Sequence, residues 1–580
     1  MRFNGFLFFI AAAAAAVVSQ PLLINWHVWG HSSTIDYARL MELDHLIREG
    51  YHYPRWAADF YYGFGSPIFN FYAPAGYWIA EIFALSGVSL LYSLKLTYVL
   101  SILLAGTGMF LFVRKMWGPL AGTGAATLYV FSPYFLLDVF VRASIGEVLC
   151  FAWIPWALFF LLRTLGGSRG SIPLAALFAA LVICSHNITA MLFFPSMILL
   201  VFLHWQREGK WRVLLWGLVA CALALGLSAF FWLPALAEKQ FVQGNETLTT
   251  GDFYFGDHFI RARQLFERRW GFGTSAPGDS VSLQLGILHW ILTAGAALVF
   301  LLRRRPWNAN AVWLWTIFGG ALFMALDPSR FIWERVALLH FVQFPWRFLL
   351  FATICSSALS GVVFSLLRGK RRHWQLAGAG ALIIIVLLTY GGYTRSRLLV
   401  IDITTREPRA IEQNERAAAR KDPNLLIFED FFTVDVLRHI GMRATILDDF
   451  MPVWVPFNPK TLPEIPYRVS EGEVAVEPVR EAPAERVYQV HSGAGGTIQF
   501  FTFWFPGWVG YLDGREIDLF PEHPHGCLSA AIPPGEHDLV IKFVNTPVRT
   551  AGELVSLASL VCAVAVALAV LVRRVRTPKA

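Results

Sequence analysis

The chain has 580 residues, of which 56% are hydrophobic and 15% charged, and its mean hydropathy is +0.51. This composition excludes an ordinary soluble domain and describes a membrane protein, since a bilayer core of about 30 Å takes about 20 apolar residues per helix. The formal charge of +8 comes with no basic patch of interleaved aromatics, so it implies no nucleic-acid partner and reports topology instead.

From Met1 to about Ser396, apolar stretches alternate between basic junctions and junctions holding acids, aromatics and histidines. The basic ones are Arg2, Arg114-Lys115, Arg163/Arg169, Arg207-Lys210-Arg212, Arg303-Arg304-Arg305, Arg368-Lys370-Arg371-Arg372 and the tail Arg573-Arg574-Arg576-Lys579. By the positive-inside rule these are cytoplasmic. About twelve spans are predicted: 4–24, 91–113, 118–137, 146–163, 171–186, 189–204, 213–237, 284–302, 309–326, 345–367, 375–392 and 553–572. An even count places both termini inside, and the first span reads as an uncleaved anchor rather than a signal peptide cut near Ser19-Gln20. Spans 171–186 and 189–204 are short enough to be half-helices buried by neighbours.

Four segments then face outward: 25–90, 138–147, 238–283 and 327–346. The first carries a predicted amphipathic helix from 36 to 49 with Leu40, Leu43 and Ile47 on one stripe, expected to lie in the membrane interface. The last carries an interfacial run from Phe331 to His340. Together they are expected to form one outer vestibule.

A fifth outward region, 394–551, has the composition of ordinary polar protein. Residues 394–460 read as a mixed connector and 461–550 as β, with strands at 465–469, 473–479, 487–491, 497–504, 508–512 and 537–543 between turn signals such as Asp513-Gly514. Six short strands suggest a small sandwich. Residues 551–580 supply the last span and its basic tail. Cys527 is the one cysteine in the outer region, so no disulfide is expected within it.

The first outer loop holds the sharpest chemistry: Gly30-His31, Ser33 to Asp36, Glu42, Asp44-His45, and Pro54-Arg55-Trp56 with Asp59. An acid held by a short helix at the membrane surface is what a hydroxyl-activating general base requires, which nominates Asp36, with Asp59 and Asp44 behind it. Each has a structural alternative. Ser33-Thr34-Ile35-Asp36 matches a capping box, Asp44 and Glu42 fit a solvated face, and Asp59 stands at i+4 from Arg55. Tyr61 and Trp56 fit either a sugar-stacking wall or an aromatic belt.

Pro54-Arg55-Trp56, Gly63 through Pro74, Arg142 through Glu147, Ser185-His186-Asn187, Trp232 through Glu238 and Gln343 through Arg347 resemble the bacterial family labelled 6-pyruvoyl-tetrahydropterin synthase-related, membrane domain. The resemblance reappears at Phe503 through Trp508, Asp513-Gly514, Pro534 through His537 and Thr546 through Arg549. That family in turn resembles GT-C glycosyltransferases. The resemblance implies an α-helical polytopic GT-C-like fold with an outer β domain, in the cytoplasmic membrane with an extracytoplasmic active site. It further implies transfer of sugar from a polyprenyl-phosphate donor to an envelope glycan, lipid or protein acceptor. Relatives place an acid directly after Gly-His, where this chain has Ser32; its nearest acid is Asp36, one turn on.

A lipid-phosphate donor needs cations at the outer interface, and Arg142 and Arg347 stand where predicted helix meets outer loop, with planar forks suited to phosphate. Snorkelling is their alternative, and for Arg142 so is pairing with Glu147. Arg261 and Arg263 in the 238–283 loop read as a solvated face or as further phosphate contacts. His31, Arg55, Glu147 and the intramembrane polar residues His186 and Asn187 complete the substrate-binding candidates. A divalent cation could assist the arginines, although no His/Asp cluster argues for one. A polyprenyl-linked glycan flippase and a non-catalytic subunit of an envelope glycan complex remain the alternative functions.

Overall fold

The computed structural model describes residues 2–24, 30–244, 249–271, 273, 280–302, 308–394, 397–402, 407–412, 425–427, 438–439, 442–444, 448, 450–456 and 458–576. The basic junction at 303–305, Lys579 and most of the predicted connector lie outside the described residues.

Seven described helices are long and apolar enough to cross a bilayer: Gly5–Ile24, Leu90–Trp117, Ile145–Leu165, Asn187–Glu208, Pro345–Leu367, Arg372–Thr394 and Pro547–Val572. Two bent pairs raise the number to nine, Pro119–Val130 with Pro133–Arg142 at 40° and Trp211–Leu227 with Ala229–Ala237 at 69°. The remaining three of the twelve predicted spans are the shorter apolar helices Arg169–Ser185, Ile287–Leu302 and Ala309–Ala325. At about 1.5 Å per residue these fall short of a 30 Å core.

The first bend is written locally. A proline ring clashes with helical backbone in the residue before it, and Ser132, preceding Pro133, is extended at φ −62°, ψ 138°. The second half of this span ends in a π-helical turn, Asp138–Arg142, stopped by Ala143 in the left-handed region at φ 51°. A wide turn of this kind is uncommon and collects at functional sites. Gly30 lies so close to it that an added Cβ would stand 2.6 Å from the Ala143 Cβ. His31 and Ser32 donate their backbone N–H groups to the carbonyls of Val141 and Arg142 at 2.9 and 3.0 Å. The start of the first outer loop is thereby fastened to the end of the broken span.

The predicted amphipathic helix is present as Ser33–Arg48, but not as an interfacial helix. Leu40, Leu43 and Leu46 are buried, and so are Asp36 on the same stripe and Arg39, Met41 and Glu42 beside and across from it. Protein encloses it on most sides, because the chain from Asp59 to Tyr77 and the Ala444 carbonyl close over it. Glu42, expected on a solvated face, is fully buried and accepts the Asp59 backbone N–H at 3.2 Å.

Within the connector, strands β1 (Arg397–Asp402), β2 (Glu407–Glu412) and β3 (Leu425–Ile427) form an antiparallel sheet of order β2-β1-β3. The predicted outer domain is one seven-stranded antiparallel sheet made of β4 (Tyr467–Ala482), β5 (Glu485–Phe503), β6 (Trp508–Leu512), β7 (Arg515–Ile517), β8 (Leu519–Glu522), β9 (Cys527–Ile532) and β10 (Gly535–Phe543). The expected two-sheet sandwich of short strands is corrected here. Four of the predicted strands fuse into the long pair β4 and β5, bulged at Val469/Glu471, Gly472/Val474 and Pro478/Arg480. β5 pairs with β10 up to Ser492 and with β9 from Gly496 onward. The change falls on Gly493, Gly495 and Gly496, where chain without Cβ atoms tolerates the turn, Gly495 at φ 90°. One sheet thus serves both walls of a barrel-like domain.

That domain sits on the first outer loop. Trp56 is buried against Trp508 at 5.6 Å and Phe543 at 5.5 Å between ring centres, and Tyr61 and Phe64 meet Phe503 at 6.2 and 5.2 Å. Beneath lies an ionic latch in which Arg549, fully buried, donates to Glu238 at 2.9 and 3.1 Å. Glu238 also accepts from Asn70 at 2.7 Å and Thr546 at 2.6 Å. Arg55 extends the latch, bonding Asn70 and Glu553, each at 3.1 Å.

Candidate functional site

Between the helix Ser33–Arg48, the broken-span end and the segment around Gln343 opens a cavity of about 430 Å³. Its walls are largely apolar, with Ile35, Phe71, Tyr72, Phe253, Phe341 and Phe450, and its polar groups are Asp36, Arg39, Arg142, His186, Asn187, Lys239, Gln343 and Arg347. An apolar pocket with a few convergent polar groups is what a small-molecule site looks like.

Asp36 forms one wall. Its carboxylate accepts the Tyr77 hydroxyl at 2.6 Å and stands 3.6 Å from the Arg39 guanidinium. Arg39 donates to the Tyr77 hydroxyl oxygen at 3.0 Å and to the Ala444 carbonyl at 2.9 Å, and lies 3.9 Å over the Tyr72 ring. The capping-box alternative fails here: Ser32 is the N-cap without a side-chain bond, and the Ser33 hydroxyl accepts the Gly30 N–H at 2.9 Å instead. Burial pushes the Asp36 carboxyl up to about 6, outweighing the opposing pulls of Arg39 and the Tyr77 hydrogen bond. An aspartic acid with that value is a stronger base than a solvated one and is ionised at neutral pH.

The opposite wall is a four-membered ion network. Arg142 grips Glu147 bidentately at 2.7 and 3.1 Å, bonds Asp138 as well, and lies 4.5 Å from the Trp346 ring centre. Arg347 donates from Nε to Glu147 at 3.0 Å and from Nη1 to the Val342 carbonyl at 2.8 Å and the Gln343 side chain at 2.9 Å. Among the described residues its Nη2 has no hydrogen-bond partner. Tyr134 donates to Glu147 at 3.2 Å, and His186 Nε2 stands 3.9 Å from it. Gln343 holds φ at 65°, so backbone strain sits on both sides of this network, at Ala143 and here.

His186 and Asn187 are not bonded to one another. His186 Nδ1 meets the Thr189 hydroxyl at 2.8 Å, and Asn187 reaches the Phe71 carbonyl at 3.4 Å.

Other sequence candidates lie elsewhere. Asp59 is buried, paired with Arg438 at 2.8 Å and 3.7 Å from His45; the expected partner Arg55 is engaged in the latch instead. Asp44 is part-buried and pairs with the exposed Arg48 at 2.8 Å. Trp56 and Tyr61 pack against the outer domain rather than lining the cavity. His31 is exposed beside the broken-span end. Arg261 and Arg263 line a separate hollow of about 260 Å³, and Arg263 pairs loosely with Glu267 at 3.8 Å. Sequence reasoning missed Asp138, Arg39, Tyr77 and Lys239. Arg39 was legible as a cation one helical turn from Asp36; Tyr77 and Asp138 were not, because only the fold brings them to charged partners.

The sequence model of the family described as "6-pyruvoyl-tetrahydropterin synthase related domain; membrane protein" matches residues 69–391, more than half of the chain, and the chain belongs to that family. No curated protein matches. Among solved structures, the chain is similar to three of archaeal oligosaccharyltransferase from Archaeoglobus fulgidus. With AglB bound to an inhibitory peptide and a dolichol-phosphate the TM-score is 0.41 at 14% identity, over 79% of this chain and 62% of that one. With the enzyme tethered to an acceptor peptide the values are 0.39, 16%, 68% and 55%. With the apo form they are 0.41, 14%, 78% and 61%. The chain spans about three-fifths of the length of the solved structures it matches.

Proposed function

We propose that this member of the 6-pyruvoyl-tetrahydropterin synthase-related membrane family is a glycosyltransferase of the GT-C kind, moving a sugar from a polyprenyl-phosphate donor to an acceptor hydroxyl or amide at the outer face of the cytoplasmic membrane. The single observation that carries this is the pairing, across one largely apolar cavity, of the buried carboxylate Asp36 with the arginines Arg142 and Arg347. The resemblance of the sequence motifs to GT-C enzymes supports it. Twelve spans, with both termini inside, are part of the same reading and follow from the charge sorting of the loops.

In this mechanism the acceptor gives its proton to Asp36 as its oxygen or nitrogen bonds the anomeric carbon. The anomeric C–O bond breaks, and its electron pair leaves with the lipid phosphate, whose charge Arg142 and Arg347 stabilise. Phosphate leaves without a protein acid. Glu147 and Asp138 hold the arginine forks in place, and Phe71, Tyr72 and Phe450 exclude water.

The test is turnover by purified protein in lipid nanodiscs with a panel of polyprenyl-phosphate sugars, reading both released polyprenyl phosphate and glycosylated acceptor. Donor cleavage lost in Asp36→Asn supports the reading. Donor movement between leaflets without bond cleavage replaces it with transport.

A further inference from the structure

Charge balance in the cavity leaves one cation over. Arg142 and Arg347 are matched by Asp138 and Glu147, and Arg39 by Asp36. Lys239 lines the same cavity, is exposed, and has no ion-pair partner among the described residues. Its Nζ lies 5.9 Å from the ring centre of Phe341, itself a cavity wall residue.

The position of Lys239 is fixed with care. It follows the 69° bent helix pair that ends at Ala237, and its neighbour Glu238 is the centre of the buried latch, held by Arg549, Asn70 and Thr546. An acid locked on four bonds pins the backbone from which Lys239 projects. A flexible ammonium on a rigid anchor makes a point-charge contact for phosphate.

Resting on the reading above, we infer that Lys239 is the primary contact for the anionic head of the lipid carrier, and that the cavity selects a lipid phosphodiester bearing one negative charge over a diphosphate. One surplus cation balances one charge. A second negative charge on the bound head group would have to be met by arginines that hold Glu147 and Asp138 and that the reaction reserves for the charge developing on the leaving phosphate. Arg142 and Arg347 form the preorganised dipolar wall, and Lys239 supplies the net attraction.

The experiment measures binding of farnesyl methyl phosphate, a lipid phosphodiester with no sugar to cleave, to the full-length protein in phosphatidylcholine nanodiscs. Lys239→Gln is expected to weaken binding about ten- to hundred-fold, the worth of one charge-assisted hydrogen bond, and Lys239→Arg to recover most of it. Farnesyl diphosphate is expected to bind more weakly than the phosphodiester. Wild-type affinity in Lys239→Gln, or equal loss in Gln and Arg variants, overturns the assignment; tighter binding of the diphosphate overturns the selectivity. Adding phosphatidylglycerol distinguishes the two sources of a phosphodiester: Lys239-dependent competition assigns the contact to bulk lipid, and no competition to a polyprenyl carrier. Because this readout needs no turnover, Lys239-dependent binding by a protein that transfers no sugar sinks the glycosyltransferase reading and leaves this inference standing.

Discussion

Asp36→Asn separates chemistry from architecture at the cavity. The carboxyl is raised from 3.8 to about 6, and at about 1.4 kcal/mol per pH unit that amounts to about 3 kcal/mol. A folded-state value above the unfolded one means that Asp36 favours folding most below pH 3.8, and that this contribution is lost as pH rises through about 6. At about pH 8 the wild type therefore buries a charge at a cost that the Asn variant does not bear. Between about pH 4 and pH 8 the stability difference should move by about 2 kcal/mol in favour of Asp36→Asn, followed by thermal unfolding in detergent. Transfer should behave oppositely. Wild-type single-turnover rate should rise about tenfold per pH unit up to about 6 and then level, while the variant's rate lacks this rise and lies about 10²–10⁴-fold below the wild-type plateau, the gap narrowing as pH falls below 6. Near-wild-type turnover in Asp36→Asn, or a flat rate profile between pH 4.5 and 7.5, refutes the general-base assignment.

The two arginines should respond differently to the loss of the planar fork. Arg347→Lys loses the Nε contact to Glu147 but leaves Arg142 in place, so initial rates should show weakened donor dependence with little change in melting. Arg142→Lys keeps the charge but strips the bidentate bonds to Glu147, and thermal unfolding should show a loss of about 1.5–3 kcal/mol, the worth of one charge-assisted hydrogen bond. Trp56→Ala should cost about 3–5 kcal/mol by opening a void under the outer domain, seen as faster limited proteolysis after residue 460; unchanged proteolysis with lost donor binding would instead return Trp56 to the sugar site. For topology, membrane-impermeant thiol reagents should label Glu49→Cys from outside and Val575→Cys only from inside, and the reverse pattern would invert the proposed orientation.

Much of the site's cast was legible because membrane sequence is constrained twice. Charge sorting separated loop faces, and intramembrane polar residues are costly enough that Arg142, Glu147, His186 and Arg347 stood out against apolar surroundings. Their geometry was not legible. The π-helical turn at Asp138–Arg142 places Asp138 inside the ion network, and no periodicity announces such a turn. Lys239 was passed over because its neighbour Glu238 belongs to a latch closed by Arg549, more than three hundred residues away in sequence.

Hydropathy, loop charge and turn residues alone determined that this is a polytopic membrane protein with a β domain before its last span and an acid-bearing loop after its first, because those signals are set by solvent on each residue separately. Which acid reaches the cavity was decided by tertiary structure. Asp36, Glu42, Asp44 and Asp59 have similar local sequence surroundings, yet only Asp36 shares the cavity with the arginine network. Asp44 is part-buried and paired with Arg48, and Glu42 and Asp59 are buried against one another, with Asp59 closed off by Arg438. Burial against distant chain, which raises one carboxyl and hides others, is a property of the packed molecule.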